Sequence, residues 1–263
     1  MRDPKAVLKL IRNLLEKRSA RHKEGRFVIE GPHLVEEAGD KVECVVFCEN
    51  LPMVKKLEDK GVPCYKVSRQ QFEELSGVET PQGVLAVVKE FEYQFRDILK
   101  ADKTLIVFCV GVQDPGNLGT IIRSADAFGA SGIILSKGTV DLYNPKVVRS
   151  TMGSLFHLPI ITVEDDQETI EHLKRKNVKM IATAADAKKD VSAADLKGPV
   201  AVLVGNEGAG LPKGIVDLAD ERVKVPMLGK AESLNVGMAA TVVLYEVVRQ
   251  RMQPSPNFIV NEK

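Results

Sequence analysis

Hydrophobic positions along the 263-residue chain fall into short β-branched runs that alternate with stretches of helical spacing. Runs at 27–29, 42–48, 62–67 and 84–88 alternate with helical patterns that begin near Pro32, Leu51 and Arg69. This predicts a small α/β domain over 1–90, entered through a helix at the N-terminus. Residues 91–103 are charged and aromatic without a clear period, which places a linker there. A second series follows, with strand-like runs at 104–110, 131–135, 159–163, 178–183 and 200–204 and helical patterns near 117–128 and 167–176. It predicts an α/β domain with a mostly parallel sheet over 104–263.

The run at 200–204 is apolar at every position, the pattern of a strand buried on both faces, and Gly205 stops it. The loop after such a strand is a natural ligand site. Gly205, Gly208 and Gly210 let backbone approach a ligand closely there, and Glu207 is the only charge among them. A short strand at 223–225 ends at Pro226, and a second loop, 227–235, leads into a helix that runs to about Arg251, with Ser233 or Asn235 as N-cap. Val236, Met238, Ala239, Val242, Val243, Leu244, Tyr245, Val247 and Val248 leave that helix little polar face. It is expected to be buried all round, and since one small sheet cannot cover it, a second subunit is expected too.

Charge changes the picture at one end only. The net charge is +1, yet residues 1–26 carry nine Lys or Arg against three acids. Val7, Leu8, Leu10, Ile11, Leu14 and Leu15 keep helical spacing, which leaves most of the basic residues elsewhere on the helix surface. Arg18, Arg21 and Arg26 are candidate phosphate contacts, with a solvated helix face as the bland alternative. The four cysteines form no CxxC pair and read as reduced core residues. No apolar stretch approaches the roughly 20 residues of a membrane span, and the charged N-terminus is unlike a signal peptide. A soluble cytoplasmic protein is expected.

Several chemistries fail on spacing. Gly111 and Gly116 follow a strand as in a phosphate-binding loop, but Asn117 and Leu118 stand where Lys and Ser or Thr are required. GxGxxG follows no strand, and no GxSxG elbow occurs. His157 has no partner at zinc spacing, and no metal site is indicated. Arg123 lies less than two helical turns beyond the loop at 111–116 and can lean back toward whatever that loop lines. Arg149 and Thr151 belong to a polar, basic stretch suited to anion or hydroxyl contacts, or to an ordinary surface helix.

The runs NLGTIIR at 117–123, GNEGAGLP at 205–212 and PMLGKAESLNVGMAA at 226–240 resemble, in order, the three motifs of the SpoU (TrmH-like) family of S-adenosylmethionine-dependent RNA ribose 2′-O-methyltransferases. The run FVIEGPHLVEEA at 27–38 is similar to that family's accessory RNA-binding domain, itself like a small ribosomal protein. The chain departs from the pattern at Gly237, where a serine is usual, and at 149–153, where RSTMG replaces RASMG. The resemblance implies an RNA substrate-binding domain over 1–90 and a SPOUT methyltransferase domain over 104–263 with a deep trefoil knot near 205–235. Thr183, Gly205, Asn206, Gly208, Val225, Met227 and Leu234 would line the cofactor pocket. Asn117, Arg123, Glu207, Ser233 and Asn235 would face the methyl group and the ribose, and the last helix would lie in a homodimer interface. The implied substrate is structured RNA, foremost 23S ribosomal RNA. Transfer RNA, or a non-catalytic RNA-binding role in ribosome assembly, are the alternatives.

Overall fold

The structure, a computed structural model, describes residues 3–252. Residues 253–263, at the end of the second predicted domain, lie outside the described residues. The chain forms two compact units, one of Met1–Glu92 with Asp141–His157 and one of Tyr93–Val140 with Leu158–Lys263.

The first unit opens with α1 (Pro4–Glu16) and α2 (Arg18–Glu24), then β1 (Arg26–Glu30), α3 (Pro32–Ala38), β2 (Val42–Phe47), α4 (Pro52–Asp59), β3 (Cys64–Lys66), α5 (Arg69–Glu73) and β4 (Val84–Lys89). Asp3 caps α1 by accepting from the Lys5 N–H, and Pro4 needs no partner at the first helical position. Val7, Ile11 and Leu14, spaced along one face, are buried with Val28, Leu85 and Phe72. The sheet runs β1-β4-β2-β3, antiparallel except between β2 and β3.

In the second unit, α6 (Phe95–Ile98), β5 (Leu105–Cys109), α7 (Pro115–Ala127) and β6 (Gly132–Ser136) come first. The chain then returns to the first unit for α8 (Pro145–Ser150). The second unit resumes with β7 (Ile160–Val163), α9 (Asp166–Arg175), β8 (Lys179–Thr183), β9 (Lys189–Asp190), β10 (Val200–Val204), α10 (Lys213–Asp217), β11 (Glu221–Lys224) and α11 (Val236–Met252). Its sheet runs β7-β6-β5-β10-β8-β11-β9, and every pairing is parallel. β10 is buried at every position because β5 and β8 flank it and both faces are covered.

Why 141–157 joins the first unit is a matter of side chains. Phe27 of β1 stacks on Tyr143 with ring centroids 4.5 Å apart and also meets Phe156. Arg21, only 4% exposed, donates from Nε to Asp141 at 2.9 Å and from Nη1 to the Leu14 carbonyl at 2.7 Å. Arg21 is therefore not a phosphate contact: its guanidinium is spent inside the unit, where two donors on one Asp141 oxygen offset the cost of burying its charge.

The same cluster leaves Glu90 in an unfavourable place. Burial first, and the Asp141 carboxylate second, raise its carboxyl from the usual 4.5 to about 7, against the pull of Arg21. Between those two values the unfolded chain has already lost the proton that the folded chain keeps, so stability falls as pH rises through this window. Glu90→Gln is expected to flatten that slope and to stabilise the protein at pH 8 by on the order of 1 kcal/mol, allowing for solvent around a half-buried group. Urea unfolding at pH 5 and pH 8 measures both effects.

The last helix differs from its expectation. Gly237, Ala240, Val243, Leu244 and Val247 are buried against the unit, but Met238, Val242 and Tyr245 are exposed at 60%, 37% and 55%. One face is packed and the other apolar face is open, so the helix is not buried all round within this chain.

Candidate functional site

Four neighbouring strands, β5, β10, β8 and β11, end on one edge of the sheet because all run the same way, and the loops after them converge there. Between these loops and the start of α11 lies a cavity of about 450 Å³. Thr183, Gly205, Asn206, Gly208, Val225, Met227 and Leu234 all line it, as do Glu207 and Ser233. Sequence reasoning missed Ala184, Glu232 and three residues of α11, namely Val236, Ala239 and Val243, that also form its wall. Ala184 directly follows Thr183 off the end of β8, which is a signal the strand pattern offered. The loop after β10 closes on itself through paired backbone bonds between Asn206 and Gly210, and the Asn206 Oδ1 accepts from the Gly208 and Ala209 N–H groups.

The residues expected at the reacting end divide into two sets. Asn117, Glu207 and Asn235 meet. The Asn235 Nδ2 donates to the Asn117 Oδ1 at 2.7 Å, and the Asn117 Nδ2 donates to the Glu207 Oε1 at 2.9 Å. Each is held by the start of an element. Asp114 caps α7 by accepting from the Asn117 N–H, while Asn235, rather than Ser233, caps α11 through the N–H groups of Gly237 and Met238. Glu207 also accepts from the backbone N–H of Gln113 and Asp114. Burial pushes the Glu207 carboxyl up, but the Asn117 amide and the backbone donors outweigh it and hold the group below its usual range. A charged carboxylate thus sits at the cavity wall at neutral pH.

Arg123 does not join them. It is exposed on α7, outside the cavity lining, and makes no hydrogen bond or ion pair among the described residues. The departure at Gly237 has a steric reason. A Cβ there would come within 3.0 Å of Thr120 Cγ2, so the glycine lets α11 lie close on α7.

Among the expected RNA contacts, Arg18 is exposed and donates to His22, and Arg26 pairs with Glu43 at partial exposure. Arg149 is half-buried on α8. Thr151 is fully buried with its hydroxyl on the Val148 carbonyl, so it contacts the helix and not a ligand. No group of three or more His, Cys, Asp or Glu that could hold a metal occurs among the described residues. No described helix is long and apolar enough to cross a membrane.

A parallel sheet whose central strands empty into a glycine-walled cavity, lined by a carboxylate that two amides hold in place, defines a small-molecule-binding α/β protein of the doubly covered type. The SpoU rRNA Methylase family matches residues 104–245, and the MRM3-like substrate binding domain matches residues 5–86. A relative from Bacillus subtilis, the 23S rRNA (guanosine(2553)-2′-O)-methyltransferase RlmP, is 36% identical over 235 residues, covering 89% of this chain and 92% of its own. The SpoU methyltransferase AviRb of Streptomyces viridochromogenes, solved with AdoMet, superposes with a TM-score of 0.85 at 32% identity over 97% of this chain and all of its own. An AdoMet-bound rRNA methyltransferase from Sinorhizobium meliloti does so with a TM-score of 0.82 at 33% identity, covering 94% of this chain and 95% of its own. This chain belongs to the SpoU rRNA methylase family.

Proposed function

We propose that the protein transfers a methyl group from S-adenosylmethionine to a ribose 2′-hydroxyl of ribosomal RNA, foremost 23S ribosomal RNA, in the cytoplasm. The observation that carries this reading is the Asn235–Asn117–Glu207 chain, whose Glu207 end lines a glycine-walled cavity. At about 450 Å³ the cavity lies within the roughly 300–1,000 Å³ of small-molecule sites. Val225, Leu234, Val236 and Val243 give it an apolar side for an aromatic base, and Glu207 and Glu232 give it negative charge for a cationic cofactor. When bound, S-adenosylmethionine supplies an electrophilic sulfonium methyl group.

The chain's own task is to align and stabilise. A ribose 2′-hydroxyl is a weak acid, so its oxygen must be held in line with the methyl group while negative charge develops. Glu207, with its lowered pKa, is a weak base, and the Asn117 and Asn206 amides with the Gln113 and Asp114 N–H groups fix it in place; it orients Asn117 rather than taking the proton. The Asn235 amide is fixed by its cap on α11 and the Asn117 amide by Asn235 and Glu207, which spares reorganisation when the substrate arrives. The Arg123 guanidinium, a fork of N–H donors, suits the adjacent phosphate and the forming alkoxide.

The proposed assembly is a homodimer on the exposed row Met238, Val242 and Tyr245 of α11. Arg123 stands on α7, which packs along α11 through Ser124 and Thr241. A second copy on that row supplies a route for the arginine of one copy to reach the cavity of the other. Met238→Glu with Tyr245→Glu is expected to give monomers by light scattering and to abolish transfer; an unchanged dimer would redirect the interface. The loops at 205–235 are proposed to form a trefoil knot, supported by the return of the chain to the centre of the sheet at β10 before the cavity loops form.

RNA is proposed to meet Arg18, Arg26 and Arg149 on the first unit. Transfer of labelled methyl to total ribosomal RNA from a strain lacking the gene, followed by mapping of alkali-resistant sites, tests the function. One labelled site supports it. Cofactor binding without transfer to ribosomal RNA, ribosomal particles or transfer RNA would leave a binding factor.

A further inference from the structure

A second cavity, about 350 Å³, lies within the first unit and takes no part in the chemistry above. Leu34 and Val78 give it apolar walls, and Glu30, His33, Thr80, Gln82 and Arg149 are its polar members. Glu30, the last residue of β1, is only 8% exposed. Its Oε1 accepts from the Ser76 hydroxyl at 2.6 Å, but its Oε2 is buried with no hydrogen-bond partner. A buried carboxylate oxygen without a donor is costly and rare. Burial pushes this carboxyl up, while the Ser76 hydroxyl, the Arg149 charge and the Gln82 backbone amide pull it back.

Arg149 lines the same hollow, half-buried, and makes no hydrogen bond or ion pair among the described residues. Its charge reaches Glu30 without contact. An acceptor without a donor and donors without an acceptor therefore line one apolar space. At its edge the His33 ring, 55% exposed, is fixed by a 3.1 Å contact between Nε2 and the Met152 carbonyl. Gly31 holds φ at +103°, and a Cβ there would fall on the Gln82 amide oxygen, so glycine keeps the strand-to-helix turn tight beside the opening.

A flat heterocycle with N–H donors next to a carbonyl matches this arrangement. Guanine carries N1–H and N2–H on the same edge as O6, whereas uracil offers one such donor and adenine no carbonyl. Unpaired RNA bases are read in this way, by edge hydrogen bonds and by stacking on His or Arg. Resting on the reading of RNA as substrate, we infer that this cavity receives one unpaired guanine of the RNA, with Glu30 accepting from its N–H groups, Arg149 donating to O6 and His33 stacking on the base.

The test uses the full chain and fluorescein-labelled hexanucleotides UUGUUU, UUAUUU, UUUUUU and UUIUUU, the last with inosine, read by anisotropy. The guanine hexamer is expected to bind about tenfold or more tighter than the adenine and uracil hexamers, with inosine between. Glu30→Gln is expected to erase that preference, and His33→Ala, at an exposed position, to weaken all four while keeping the order. Equal wild-type affinities for the guanine, adenine and uracil hexamers overturn the inference without recourse to any variant. A preference that survives Glu30→Gln overturns it too. Guanosine monophosphate displacing the hexamer at comparable concentration assigns the cavity to a free nucleotide and overturns the RNA assignment. Methyl transfer measured in parallel separates the two readings: transfer without guanine preference removes the cavity assignment alone, and preference without transfer to any RNA removes the methyltransferase function alone.

Discussion

Arg123→Ala is expected to slow methyl transfer by about 10²–10³-fold, the usual cost of removing one donor to a developing oxyanion, while leaving cofactor affinity unchanged. The two effects separate because Arg123 lies outside the cavity lining and makes no hydrogen bond or ion pair among the described residues, so its loss disturbs no part of the cofactor site. Single-turnover transfer and calorimetric binding of S-adenosylmethionine measure them. Mixing carries the proposed dimer further. Arg123→Ala and Glu207→Ala subunits, inactive alone, are expected on random reassociation to recover about a quarter of the wild-type active sites if each site takes its arginine from the partner. No recovery in a mixture shown to contain heterodimers would place arginine and cavity in one chain.

Gly205→Ala is expected to abolish measurable cofactor binding and to lower transfer on the order of 10²-fold or more. A Cβ on residue 205 would fall on the carbonyl carbon of Gly210 and the nitrogen of Leu211. Those are backbone atoms of the closed loop itself, and no rotamer change relieves the clash. The loop must open, and with it the seat of Asn206 and Glu207. Overpacking of this kind costs about 1–3 kcal/mol, so the melting temperature falls by several degrees as well. Gly214→Ala provides the control, because nothing lies within 4 Å of its added carbon and the residue stands in α10. Its melting temperature is expected to hold or rise slightly.

Much of this site is written locally. The five apolar residues of β10 admit little besides a doubly buried strand, and a glycine loop after such a strand falls at the ligand edge of a parallel sheet. Residue type alone narrows the α11 N-cap to Ser233 or Asn235, and the cap is the one whose Oδ1 reaches two backbone N–H groups. That Asn117, Glu207 and Asn235 meet was legible only through the motifs, since 90 and 118 residues separate the bonded pairs. The role of Arg21 is hidden for the same reason. A basic residue on a basic helix counts as surface until Asp141, 120 residues away, is placed against it. For α11, apolarity announces burial but not what buries it, and the chain covers only one face. Glu30 leaves no signal in the sequence because a single acid in a strand carries no period, and its unpartnered Oε2 exists only in three dimensions.

The excursion of 141–157 bears on how the protein is made. A ribosome that has released only 1–103 has delivered the first sheet, but not Tyr143, Phe156 or Asp141, which cover Phe27 and neutralise Arg21. During synthesis that apolar face must wait for β5, α7 and β6 to emerge. The amino-terminal half is thus the one whose completion comes late, against the usual order in which domains finish as they leave the ribosome. A fragment ending at 103 should bind hydrophobic dyes and aggregate, and supplying 141–157 as a peptide in trans should suppress both.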